Sequence, residues 1–160
     1  MKKIYSFQLI LVLLLCAFFV PVHGQNEDNT ETISTRLKEK ISANYYTYTI
    51  DDYNNVFVTG FFTDTARISM RKLVAKGMID VFFAKFDPSL ELLWIKRAGG
   101  GDINFSKFIN TDKLNNVYIT GLFRGRAFFQ DTIIDSGSRR YDYFTAKYNN
   151  DGELLWVRTK

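Results

Sequence analysis

The 160-residue chain has one cysteine (Cys16), one histidine (His23) and two prolines, and all of these except Pro88 fall within its first 24 residues. From Gln25 onward there is therefore no material for a Ser-His-Asp triad, a cysteine nucleophile, a disulfide or an imidazole or thiolate metal site. Runs of one charge are also missing. The chain carries 21 Lys plus Arg against 17 Asp plus Glu, and without residues 1–24 the balance is 19 against 17. So small and scattered an excess offers phosphates no basic stripe, which argues against nucleic acid as a partner. What is plentiful is apolar: 46% of residues are hydrophobic and 16% aromatic, enough for a core and too much for a disordered tail.

The N-terminus has the layout of a secretory signal. Lys2 and Lys3 precede an apolar run from Leu9 to Val22, and Val22-His23-Gly24 places short residues at the −3 and −1 positions before Gln25. Fourteen apolar residues fall short of the roughly 20 needed to span a bilayer. An uncleaved anchor, or a lipoprotein acylated at Cys16, are the alternatives, although Leu15 and Ala17-Phe18-Phe19 fit acylation poorly. All three readings place the rest of the chain outside the cytoplasm: extracellular, periplasmic or on the outer cell surface. A cysteine-free mature segment suits an oxidising compartment.

Residues 25–43 turn polar. Ile33, Leu37 and Ile41 recur every four residues and would suit a short amphipathic helix, but the surrounding β-branched and small polar residues favour an irregular, mobile leader.

From residue 44 the sequence repeats. Asn54-Asn55-Val56-Phe57-Val58-Thr59-Gly60 returns 61 residues later as Asn115-Asn116-Val117-Tyr118-Ile119-Thr120-Gly121. Asp80-Val81-Phe82-Phe83-Ala84-Lys85-Phe86 and Leu92-Leu93-Trp94-Ile95-Lys96 return 62 residues later as Asp142-Tyr143-Phe144-Thr145-Ala146-Lys147-Tyr148 and Leu154-Leu155-Trp156-Val157-Arg158. Three blocks in the same order establish an internal duplication. Each block is short, rich in β-branched and aromatic residues, and bounded by Asn, Asp, Gly or Pro, which reads as strands joined by tight turns. A weaker strand is expected around Arg67–Met70 and Ala127–Gln130, continuing towards Leu73-Val74 and Ile133-Ile134. Four strands per repeat make an antiparallel meander. Both faces of Val56-Phe57-Val58 and Phe82-Phe83-Ala84 are apolar, so each sheet should be covered on both sides.

These repeated motifs, with the Ala98-Gly99-Gly100-Gly101-Asp102 run after the first Trp strand, resemble the bacterial SBBP β-propeller repeat of secreted and envelope proteins. The resemblance covers Asn44 to Lys160, twice over. Asn54 and Asn115 stand where that family usually has Gly, a mild change because Asn also accepts the left-handed turn. The resemblance implies an all-β fold of propeller-like blades, with residues 44–104 as the first repeat and 105–160 as the second, after a signal peptide (1–24) and a leader or decayed blade end (25–43). It also implies a ring of four or more blades, of which only two are here, hence a truncated product or a chain that associates with itself or with other propeller repeats. Leu154-Leu155-Trp156-Val157, Phe128-Phe129 and Ile133-Ile134 would then leave apolar surface on the terminal blade.

Chemistry is sparse. Asp80 and Asp142 recur at equivalent positions and would serve as paired carboxylates in a glycosidase, but an Asp at a strand start is more often a turn residue. Asp51-Asp52 with Asn54-Asn55 offers oxygens to Ca²⁺ without the spacing of a calcium loop. Trp94 and Trp156 fit sugar platforms less well than core positions. Gly99-Gly100-Gly101 precedes no helix with Lys-Ser/Thr and is not a phosphate loop, and no cofactor is expected. Tyr45, Tyr46, Tyr141 and Tyr143 are the candidate binding residues. The sequence thus points to an exported, non-catalytic interaction or structural module that binds protein or glycan at the cell surface through its blade loops. An exported carbohydrate-active enzyme is the alternative. The exported protein is expected to begin at Gln25; N-terminal sequencing that finds Met1 on exported material would remove the cleaved signal.

Overall fold

The structure, a computed structural model, describes residues 27–137 and 140–160. The signal segment and its cleavage site lie outside the described residues. The chain runs through one helix, α1 (Glu27–Lys40), and then strands β1 (Ile41–Ser42), β2 (Tyr45–Ile50), β3 (Val56–Phe62), β4 (Thr65–Ile68), β5 (Arg71–Val74), β6 (Asp80–Phe86) and β7 (Leu92–Gly99). It continues with β8 (Asn104–Thr111), β9 (Val117–Arg124), β10 (Arg126–Phe129), β11 (Thr132–Asp135), β12 (Tyr141–Tyr148) and β13 (Leu154–Thr159). The fold is all-β and blade-like: β2-β3-β6-β7 form one antiparallel meander and β8-β9-β12-β13 form another.

The weaker strands are not blade members. β4-β5 and β10-β11 are hairpins that turn at Ser69 and Gln130, both with positive φ (52° and 51°), and they leave the plane of their own sheet. The fourth strand of each meander is instead the edge strand β2 or β8. The β10-β11 hairpin crosses to the first sheet, pairing Phe128 and Phe129 with Gly99 and Ala98 of β7. Phe129 and Ile134 are consequently buried between the sheets, and only Phe128 and Ile133 are exposed, which corrects the expectation of an apolar terminal surface there.

Four turns share one device. Asp51, Asp87, Asp112 and Asn149 each accept, through Oδ1, the backbone N–H groups two and four residues on, at 2.8–3.0 Å. The residue three positions on is left-handed in each: Asn54 (φ 63°), Leu90 (62°), Asn115 (57°) and Gly152 (77°). The side-chain oxygen replaces a backbone acceptor in the turn, so Asp or Asn is needed at its first position. Within the sheets, Gly60 and Gly121 are required for close approach. A Cβ there would lie 2.1 Å from the Tyr45 carbonyl oxygen or 1.9 Å from that of Phe105, and against a Phe ring besides.

The two faces of the first sheet are both apolar, and both are covered. Val58, Phe62, Phe82, Ala84 and Phe86 on its leading face pack against Leu37 and Ile41. Phe57, Val81, Phe83 and Ala98 on its trailing face pack against Val117, Ile119, Phe123, Phe144, Ala146 and Tyr148 of the second sheet. The leader is therefore a helix, not an irregular segment: burying Leu37 completely outweighs the modest propensity of its Thr and Ser residues. Ile41-Ser42 pairs with Arg67-Ile68 of β4.

The second sheet differs. β9 alternates buried and partly exposed residues along its length. Its leading face is closed by the first sheet, while its trailing face is open, contrary to the expectation that both sheets are covered on both sides. The tryptophans record the difference. Trp94, half-buried like Trp156, packs against the inter-sheet core, meets Phe57 and Phe83 edge-on, and donates its indole N–H to the Asn150 carbonyl at 3.1 Å. Trp156 is half-buried on the open face. Trp94→Ala is expected to cost about 3 kcal/mol, the lower end for an aromatic truncation, and Trp156→Ala at most about 1 kcal/mol. Urea unfolding of the two variants checks the ordering; equal losses would contradict it.

Candidate functional site

On the open face of the second sheet aromatic, cationic and polar side chains converge. Positions that repeat the covered, apolar face of the first sheet are changed in kind: Phe57 corresponds to Tyr118, Val81 to Tyr143 and Phe83 to Thr145. Cross-strand register places them side by side. Tyr141 faces Arg124, Tyr143 faces Leu122, Thr145 faces Thr120, and Lys147 lies between Tyr118 and Trp156.

Three cations lie over aromatic rings here: Arg124 over Tyr141 at 5.5 Å, Lys147 over Tyr118 at 4.8 Å, and Arg158 over Trp156 at 4.7 Å. Tyr118 and Trp156 meet edge-on at 6.1 Å. Each cation–π contact is worth about 0.5–1 kcal/mol at an exposed site, and together they hold the rings in place. Arg124 is fixed further by a two-pronged ion pair with Asp102, both distances being 2.7 Å. Lys147 lies 3.4 Å from Asp112, whose Oδ2 also accepts the Tyr118 hydroxyl.

Asp112 is held well below the usual carboxylate range. Burial pushes its carboxyl up, but the side chain and backbone N–H of Asn116, the Leu114 N–H and Lys147 together outweigh that. The hydrogen bond to Tyr118, with Asp112 in support, raises the Lys147 ammonium against its own desolvation.

The four candidate tyrosines separate. Tyr141 and Tyr143 are 40% and 59% exposed and lie on this face. Tyr45 and Tyr46 belong to the other sheet. Tyr45 stacks on Phe61 at 5.4 Å beside the inter-sheet cluster of Ile79, Ile103 and Phe105. Tyr46 packs on the leading face near α1, and burial, followed by the charge of Tyr48, raises its phenol. The face also contains Tyr118, Trp156, Arg124, Lys147 and Arg158, which the sequence reading did not select. A legible signal existed: aligned at their offset, the copies change from apolar to polar at 118, 143 and 145.

The carboxylates are occupied structurally. Asp80 is wholly buried, paired with Arg97, and accepts the backbone N–H groups of Lys76 and Gly77. Its counterpart Asp142 accepts the N–H of Tyr143 and has Thr159 where the first copy has Arg97. The Asp51 and Asp112 oxygens are used by their turns. Among the described residues no group of three or more His, Cys, Asp or Glu is placed to hold a metal ion. The arrangement is suited to stacking and hydrogen bonding with a flat partner.

No family model matches the chain. It is similar to an uncharacterized WD repeat-containing protein, L264, of Acanthamoeba polyphaga mimivirus, at 30% identity over 141 aligned residues. That alignment takes in 74% of this chain and 10% of the relative, so the chain spans about a tenth of the length of the protein it matches. Together with the two blade-like sheets, the similarity supports a propeller-type repeat protein.

The turn at Asn149 shows that Asn fills the Asp position without loss of the turn, so Asp112→Asn removes the titration and keeps the loop. A carboxyl depressed in the folded state adds stability above its unfolded value of about 3.9 and loses it as pH falls towards the folded value. Wild type should therefore lose stability more steeply than Asp112→Asn below about pH 4. Denaturant midpoints measured from pH 7 to pH 2.5 check this; parallel curves would contradict it.

Proposed function

We propose that this protein is an exported, non-catalytic interaction module built from propeller-type blades of the SBBP kind, and that it takes a protein or a glycan at the cell surface on the open face of its second sheet. The observation that carries the reading is the change in kind at equivalent positions. Where the first sheet presents Phe57, Val81 and Phe83 to a neighbouring sheet, the second presents Tyr118, Tyr143 and Thr145 with three ring-stacked cations. Tyrosine and tryptophan offer large contact area with few rotors and a polar edge, the composition expected of a surface that binds from water. Export rests on the basic start, apolar run and short-residue cleavage site of the N-terminus. The non-catalytic part is supported by Asp80, whose carboxylate is buried against Arg97 and is not available as the partner of Asp142.

Envelope material from the producing cell tests the proposal. Binding of the purified chain is expected to fall at least about tenfold in Tyr143→Ala/Trp156→Ala, as is usual when central aromatic contacts are removed. Prior protease treatment of the envelope separates a protein partner from a glycan partner, which periodate oxidation destroys. Binding unchanged by the double substitution, or turnover of a glycoside that depends on Asp142, would overturn the reading.

A further inference from the structure

Going beyond that reading, and independently of which ligand it takes, the internal repeat shows what α1 replaces. At the interface between the sheets, the first sheet offers the second three things: an apolar face, a strand end and a pair of donors. The apolar face is Phe57, Val81 and Phe83. The strand end is Ala98-Gly99, which pairs with Phe129 and Phe128 of the β10 hairpin. The donors are the Trp94 indole N–H, which reaches the Asn150 carbonyl at 3.1 Å, and the Lys85 ammonium, which reaches Asn150 Oδ1 at 2.6 Å.

The helix and β1 offer the first sheet the same three things. Leu37 and Ile41, with Ile33 beside them, cover Phe62, Phe82 and Phe86, the counterparts of Phe123, Phe144 and Tyr148. Ile41 and Ser42 pair with Ile68 and Arg67, which lie 61 residues before Phe129 and Phe128. Arg36 donates to the Ser89 carbonyl at 2.8 Å and Lys40 to Glu91 at 3.0 Å, in the turn that corresponds to Asn149–Glu153. The three contacts match in kind, at the equivalent face, the equivalent strand and the equivalent turn, although the donors reach Ser89 and Glu91 and not Pro88, the counterpart of Asn150.

We infer that α1 is a placeholder: it holds the seat of a sheet on the first blade and thereby blocks head-to-tail assembly with the second sheet of another copy of this chain. The second sheet keeps the donors such a seating would use. Trp156 corresponds to Trp94, and its indole N–H has no hydrogen-bond partner among the described residues; Lys147 corresponds to Lys85 and is turned onto its own Asp112. The helix wins the seat because Tyr118, Tyr143 and Thr145 give the second sheet less apolar surface to offer than Phe57, Val81 and Phe83 give the first. The occupant is a second copy because the surface it needs, a sheet ending in the Leu-Leu-Trp strand with a lysine beside the Trp, is one this chain presents.

Sedimentation velocity on the full chain decides it. Arg36→Glu/Lys40→Glu removes both donors and sets two carboxylates against Glu91 without touching the core; Leu37→Arg expels the helix outright. Either change is expected to lower the dissociation constant for self-assembly at least tenfold, and adding Trp156→Ala/Lys147→Ala should reverse the gain. If Leu37→Arg fails to fold, the double charge reversal alone gives the answer, with circular dichroism confirming retained strand. Unchanged self-assembly in the charge-reversed chain, or assembly that persists with Trp156 and Lys147 removed, would overturn the inference. Assembly through this face would also cover Tyr143 and Trp156, so envelope binding is read on the wild-type monomer, where failure of the ligand reading leaves the assembly result standing.

Discussion

A sheet with two apolar faces cannot stand in water, and the first sheet of this protein is such a sheet. β3 and β6 are buried along their whole length, with Phe57, Phe83 and Val81 on one side and Phe62, Phe82 and Phe86 on the other. Each fully buried side chain of this size is worth about 1.5–3 kcal/mol relative to exposure, so leaving either face open would cost an amount comparable with a domain's usual net stability of about 5–15 kcal/mol. The rest of the molecule supplies the two covers. The second sheet closes the trailing face and a helix closes the leading one. The aromatic pairs at the joint, Phe83 with Tyr148 at 4.2 Å and Phe61 with Phe105 at 4.8 Å, show how closely the two sheets are fitted.

The same constraint explains the asymmetry between copies whose strand blocks align at offsets of 61 and 62. A sheet covered on both sides needs Phe at position 57, while its counterpart on an open face accommodates Tyr at 118. Duplication supplied the frame, and the difference between the copies marks where each meets water. The proposed binding role rests on that difference.

Much of the architecture was legible in the residues. The offsets of 61 and 62 gave the duplication, the Asn and Asp clusters gave the turns, and the left-handed Asn54 and Asn115 took the conformation expected of them. Three features were not legible, each for a physical reason. The helix over Glu27–Lys40 draws its stability from burying Leu37 against another element, which local propensity does not register. The hairpins β4-β5 and β10-β11 have strand-like sequences, but which sheet they join is a tertiary matter decided by the ends of β1 and β7. An uncovered second blade is expected from the repeat, but its polar make-up shows only where Tyr118, Tyr143 and Thr145 are set against Phe57, Val81 and Phe83, not within either strand alone. Tyr141 and Tyr143 lie on the open face, while Tyr45 packs at the joint between the sheets and Tyr46 on the helix side of the first sheet.

The claim that equivalent faces are closed in one sheet and open in the other is tested most directly by thiol reactivity. With Cys16 replaced by Ser the chain has no cysteine, and Val81→Cys and Tyr143→Cys then report equivalent positions that are 1% and 59% exposed. The account predicts that the thiol at 143 reacts with a maleimide or disulfide reagent at nearly the rate of a free thiol, whereas the thiol at 81 reacts only when the protein opens, slower by several orders of magnitude if opening costs about 5 kcal/mol or more. Similar rates at the two positions in a folded protein would contradict it.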